Sequence, residues 1–193
     1  MASVASRHDG QMSDSIRPFY ADWAGYNRRV TEALRGLPAE DLGLQVPGSD
    51  HWPIWAIAGH MAGTRVYWLC EVLGEPGAED TPFRDAANSG WEDDLSRSRS
   101  GAELESALTS TWRIVEGCLE RWTPDRLGQA VTRQRGETRQ VHTRQSILLR
   151  LIHHEAYHVG EISLTLGAHG RAPIDLWPRA DWAADAPRAL REG

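Results

Sequence analysis

Apolar residues recur at helical spacing in four stretches of the chain, separated by segments rich in glycine, proline and acidic residues. The first stretch carries Phe19, Trp23, Tyr26, Val30, Leu34 and Leu37 at intervals of three and four. It predicts a helix that starts near Ser13 to Ser15, holds Pro18 in its opening turn and stops at Gly36 to Pro38. A connector from Ala39 to Ser49, marked by Gly43, Pro47 and Gly48, delivers the chain to an Asp50 N-cap. The second helix is expected from about His51 to Leu73, with Pro53 in its first turn and Gly74 and Pro76 beyond its end. From Glu75 to Arg99 the composition changes to Pro, Gly, Asp, Ser and Asn, which reads as a long crossover. Ser100 and Glu103 form a capping-box signature for a third helix carrying Leu104, Leu108, Thr111, Trp112, Val115, Leu119 and Trp122. Gly128 to His142 is polar and arginine-rich, compatible with a short strand or a β-turn but not with a stable helix. Thr143 caps a fourth helix that continues to about Leu166 and exits through Gly167 and Gly170.

Four amphipathic helices predict an all-α fold, a four-helix bundle with a long crossover between helices 2 and 3. Residues 1–12 read as a flexible tail and 13–193 as one domain. Its C-terminal extension from Ile174 to Trp182 is too apolar for a free tail, and is expected to lie on the bundle with Trp177 or Trp182 as anchor.

Composition narrows the function classes. The 193-residue chain has a formal charge of -6, which offers no basic field to a polyanion, so nucleic acid is not an expected partner. The first residues have no apolar core and eighteen apolar residues nowhere run together, so neither secretion nor a membrane span is expected. Cys70 and Cys118 both sit at apolar helical positions and read as buried free thiols in a reducing cytoplasm. All 21 basic residues are arginine, which excludes Schiff-base and lysine-base mechanisms. The nine tryptophans are expected at helix interfaces and loop ends.

The candidate chemistry lies in the fourth helix, where His153, His154 and His158 fall within six residues. A separation of four residues is about 40° of rotation and about 6 Å of rise, so His154 and His158 project from one face. His153 is offset from His154 by about 100° and is expected to be exposed or hydrogen-bonded outside the pair. Two histidines at this spacing also occur on solvated faces or as core residues. A third donor on another helix argues for a metal site, and His60, near the middle of the second helix among Ala56, Gly59 and Gly63, supplies it.

These residues resemble the DinB superfamily, the DinB/YfiT-like metalloenzymes. The carriers are the second-helix stretch Ile54-Trp55-Ala56-Ile57-Ala58-Gly59-His60-Met61-Ala62 and the fourth-helix stretch His154-Glu155-Ala156-Tyr157-His158-Val159-Gly160-Glu161-Ile162. The resemblance covers about residues 13 to 170. It implies that His60, His154 and His158 ligate a metal near one end of the bundle, at the base of an open pocket, in a protein that is frequently a homodimer. Relatives implied by it include thiol S-transferases that use bacillithiol or mycothiol, and mycothiol-dependent maleylpyruvate isomerases.

Three imidazoles with one open position suit Zn²⁺, with Ni²⁺, Mn²⁺ or Fe²⁺ as alternatives. Glu161, closest in direction to the histidine pair, is expected to accept the second N–H of a ligand. The expected activity is a metal-dependent transferase that activates a low-molecular-weight, mycothiol-like thiol toward a small electrophilic substrate. Arg150 would bind a carboxylate of cofactor or substrate, and Tyr67 and Thr64 would orient the other partner. One alternative is a metal-dependent hydrolase with Glu161 or Glu71 as base. The string His154-Glu155-Ala156-Tyr157-His158 also spells H-E-x-x-H, in which Glu155 would be the base of a zinc protease. The expected all-helical surroundings, with His169 in a glycine turn as the sole downstream histidine, speak against that. A further alternative is a non-catalytic metal-containing bundle that binds a small molecule or a protein.

Overall fold

The computed structural model describes residues 14–83 and 94–177. The chain is mostly helical. A 3-10 turn, Arg17–Tyr20, leads into α1 (Ala21–Gly36). A single turn, α2 (Ala39–Leu42), precedes α3 (Ile54–Val66). After α4 (Gly101–Arg121) and the turn α5 (Pro124–Leu127) come the strands β1 (Ala130–Arg135) and β2 (Thr138–Thr143), then α6 (Arg144–Ala168). The expected N-terminal tail, Trp91 of the crossover and Trp182 of the C-terminal extension lie outside the described residues. Among the described residues no helix is long and apolar enough to cross a membrane.

Packing follows the apolar stripes. α4 lies against both α1 and α3, and α3 lies against α6. Leu34, Ile57, Leu69, Leu104, Leu108, Leu148 and Leu151 are among the side chains of one continuous core. The mixed face of α3 has no solvent side, since twelve of its thirteen residues are buried. At the start of α4 a Cβ on Gly101 would meet the Arg35 carbonyl oxygen at 2.6 Å, so the backbones of α1 and α4 come together there because the residue is glycine. Both predicted caps form: the Ser100 hydroxyl accepts from the Glu103 N–H, and the Thr143 hydroxyl from the Ser146 N–H, each in a reciprocal capping box.

Three expectations are corrected. The second long helix begins at Ile54 with Pro53 as its N-cap, because Pro53 is extended (ψ 157°) and holds the preceding residues out of the helix, so Asp50 caps nothing. Its last part, Tyr67–Val72, widens into a π-helical turn, which rotates the following side chains away from the directions that a uniform 3.6-residue period assigns. The all-α reading omitted an antiparallel hairpin, paired from Ala130↔Thr143 to Arg135↔Thr138 and turned at Gly136, whose φ of 56° favours glycine.

Of the C-terminal extension the described residues end at Trp177, which is 66% exposed. Ile174 N–H donates to the Ser163 hydroxyl, Arg171 pairs with Asp41 at 2.8 Å, and the Arg29 guanidinium lies 5.8 Å from the Trp177 ring.

Candidate metal centre and its cleft

α3 and α6 bring three half-buried imidazoles together. His60 Nε2 and His154 Nε2 are 2.9 Å apart, and His154 Nε2 and His158 Nε2 are 3.2 Å apart. One ring nitrogen from each of the three falls within a 4.8 Å cluster. Donors about 2.0–2.1 Å from a tetrahedral zinc ion stand about 3.3 Å from one another, a spacing that His154 Nε2 comes near with both of its neighbours.

The protonation states agree with ligation. Glu161 Oε2 lies 2.8 Å from His158 Nδ1. A carboxylate only accepts, so Nδ1 carries the proton and Nε2 turns its lone pair toward the cluster. Burial, then the neighbouring charges of His158, His60 and Arg150, push the His154 pKa down to about 3. Burial also lowers that of His158, against the opposing effect of its hydrogen bond to Glu161. Both are therefore neutral at pH 7, the form that binds metal. His154 Nδ1 is a buried atom with no hydrogen-bond partner among the described residues.

The surroundings are aromatic and acidic on one side. Trp52 meets the His60 ring edge-on at 5.3 Å and Tyr157 meets His158 at 5.1 Å. His51 pairs with the other oxygen of Glu161, so one carboxylate joins the loop before α3 to the α6 histidines. On the other side opens a cleft of about 610 Å³ walled by His142, Ser146, Leu149, Arg150, His153, His154 and Tyr157.

Other residues singled out in the sequence are placed as follows. Arg150 lines the cleft, with its guanidinium 4.8 Å from the Trp68 ring. His153 is exposed on the cleft wall. Thr64 is buried within α3, and Tyr67 lies on the π-helical turn against Trp68 with Arg133 above its ring; neither is a wall of the cleft. Spacing gave no sign of His51, Trp52, Trp68, Arg133 or His142. The signal within reach was the alternation of Val131 and Arg133, and of Gln140 and His142, in the polar segment.

Glu155 is turned into the core, which corrects the H-E-x-x-H reading. It is 1% exposed, accepts from Arg65 Nε at 2.7 Å through Oε1 and from Trp23 Nε1 at 2.9 Å through Oε2. One step along a helix is about 100°, so the residue after a cleft-facing histidine points to the helix interface. Arg65 goes on to donate to Asn27 Oδ1 at 2.7 Å and to the Leu108 carbonyl at 3.0 Å. Glu155 is a structural carboxylate.

Long helices that bring His60 of α3 together with His154 and His158 of α6 define the class, a mostly helical scaffold with a candidate metal site. The chain belongs to the DinB superfamily, whose family model matches residues 25–162. A crystal structure of a DinB-like protein from Bacillus cereus ATCC 10987 is similar to it in fold, with a TM-score of 0.63 and 18% identity over 84% of this chain and 97% of that one. No curated protein matches the sequence.

Proposed function

We propose that the protein is a divalent-metal-dependent, transferase-like enzyme that joins a low-molecular-weight thiol to a small electrophilic substrate, or isomerises such a substrate. The observation that carries this reading is that His154, one of three clustered imidazoles, is a wall of a small-molecule-sized cleft that Arg150 also lines. His60, His154 and His158 would hold the ion, Zn²⁺ being the one that three neutral imidazoles with a further open position suit best. When bound, it lowers the pKa of an approaching thiol, so that the nucleophile is available at neutral pH.

The chain's own groups do the rest. Glu161 keeps His158 in the ligating tautomer and fixes its ring direction. Trp52 packs edge-on against His60 and Tyr157 against His158, which limits how far the two rings turn. Arg150 presents its guanidinium to a carboxylate of cofactor or substrate, which orients the molecule along the cleft. Cys70 and Cys118 are not the nucleophile: burial pushes their thiols up to about 11 and about 12. The zinc-protease form of a hydrolytic reading is weakened because Glu155, the base it would use, is committed to Arg65 and Trp23.

The test offers metal-loaded protein mycothiol, bacillithiol or glutathione together with a chlorinated or epoxide electrophile. Conjugate should form, and its formation should be lost in His158→Ala. No turnover above that variant with any of the three thiols removes the proposal.

A further inference from the structure

The hairpin turns a polar face toward the helices. Its half-buried positions are Val131 and Arg133 on β1 and Gln140, His142 and the terminal Thr143 on β2, and the register pairs Arg133 with Gln140 and Val131 with His142. A hairpin held only by packing would place apolar residues on this face and polar ones outside. Here the aliphatic Val141 points outward, 64% exposed, while a guanidinium, an amide and an imidazole face in.

What they face is Trp68. The guanidinium of Arg133 lies 4.8 Å from its ring, the guanidinium of Arg150 from α6 also lies 4.8 Å from it, and the His142 ring meets it edge-on at 5.0 Å. Elsewhere arginines held against the helices are neutralised: Arg65 by Glu155, Arg144 by Glu75, Arg171 by Asp41. Arg133 and Arg150 have no carboxylate partner among the described residues, and Arg133 Nε and His142 Nε2 are buried atoms with no hydrogen-bond partner there. Buried donors left in this state cost free energy that a bound acceptor would return. Burial and then the charges of Arg150 and Arg133 hold the His142 pKa below the usual histidine value.

We propose that Arg133, His142 and Arg150, set around Trp68, form a subsite for the carboxylate of a small organic acid whose other end reaches the three histidines. The juxtaposition that carries this is the shared cleft, since His142, Arg150 and His154 are all walls of it. Both guanidiniums lie over the one indole, and a guanidinium held over a ring still has N–H donors to offer a carboxylate. The hairpin is then the specificity element, and Arg133 a binding residue that helical spacing could not reveal. The subsite deepens the transferase reading by naming its substrate or cofactor class as carboxylate-bearing, and it rests on that reading only for the position of the reactive end.

The experiment is calorimetric titration of the full chain, metal-loaded and chelator-treated, with succinate, with uncharged succinamide and with inorganic phosphate. Succinate should bind saturably to both forms, and succinamide at least about tenfold more weakly. Arg133→Gln and Arg150→Gln should each weaken succinate about tenfold, the loss expected for one charge-assisted contact. Arg133→Lys should recover part of that loss, which separates binding from folding. Arg139→Gln, an equal charge change on an exposed position of the same hairpin, should have no effect. The proposal is overturned if succinate does not bind, if succinamide binds equally well, if phosphate binds more tightly than succinate, or if Arg139→Gln matches Arg133→Gln. Saturable succinate binding in a protein that transfers no thiol would leave the subsite standing and remove the transferase reading. Conjugate formation by a protein that ignores succinate, unchanged in Arg133→Gln, would do the reverse.

Discussion

Arg65 Nε donates to Glu155 Oε1 at 2.7 Å, with both side chains 1% exposed, so α3 and α6 are joined by a buried ion pair directly behind the histidine cluster. Asn27 and Trp23 extend the pair to α1, and the Leu108 carbonyl extends it to α4. The four long helices therefore share one polar junction. Such a junction costs desolvation, and it fixes which faces of the helices meet only because nearly every charge in it is matched.

Glu155→Ala leaves the Arg65 guanidinium buried without its counter-ion and should destabilise the protein by about 3–5 kcal/mol. Urea unfolding measures this directly. If Glu155 were instead a catalytic base in the cleft, Glu155→Gln would leave stability unchanged and abolish a hydrolytic activity.

The difference between that outcome and the H-E-x-x-H letters shows what the sequence could and could not convey. Spacing identified His60, His154 and His158 because helical geometry is set by short-range hydrogen bonds, and two helices in contact leave few places for their polar side chains. It identified Glu161 as the partner of His158 for the same reason, three residues being almost one turn. It could not say which way Glu155 faces, since that depends on Arg65, ninety positions earlier. The π-helical turn at Tyr67–Val72 broke the uniform helix that the period extended to Leu73. The hairpin carried no apolar alternation to announce it, because its inner face is polar.

Glu161→Gln removes the anionic acceptor at His158 Nδ1 and loosens the ring that Glu161 orients. Removal of such a partner typically costs about 10–100-fold in metal affinity. Competition with a chromophoric chelator should show a loss in this range for Glu161→Gln and a larger one for His60→Ala. Equal affinity in Glu161→Gln and wild type would mean that the hydrogen bond plays no part in ligation.

Cys118, fully buried, and Cys70, with their thiols raised by burial, should resist alkylation. Native protein at pH 8 should react with iodoacetamide far more slowly than urea-unfolded protein, by mass spectrometry. Rapid native labelling of either would reopen a thiol role for the chain itself.

Glu75 contributes a pH dependence of stability. Burial alone would raise its pKa, but hydrogen bonds from Arg121 and Trp122 Nε1 and the charges of Arg121 and Arg144 outweigh this and hold it below the usual glutamate value. A carboxylate whose folded pKa is depressed stabilises fully above its unfolded pKa, and that contribution is lost as pH falls through the folded one. Glu75→Gln should therefore lower stability near neutral pH and flatten the acid limb below about pH 4.3, the unperturbed glutamate pKa. Parallel acid limbs in variant and wild type would contradict the assignment.

The central claim is that imidazoles from residues 60, 154 and 158 hold one divalent cation at the mouth of the cleft. X-ray absorption at the metal edge, on protein stripped and reloaded with zinc, tests it most directly. The expected result is one ion per chain with three imidazole nitrogens at about 2.0–2.1 Å, reduced to two in His60→Ala. Failure to retain zinc after reloading, or a nitrogen shell unchanged in that variant, would contradict it.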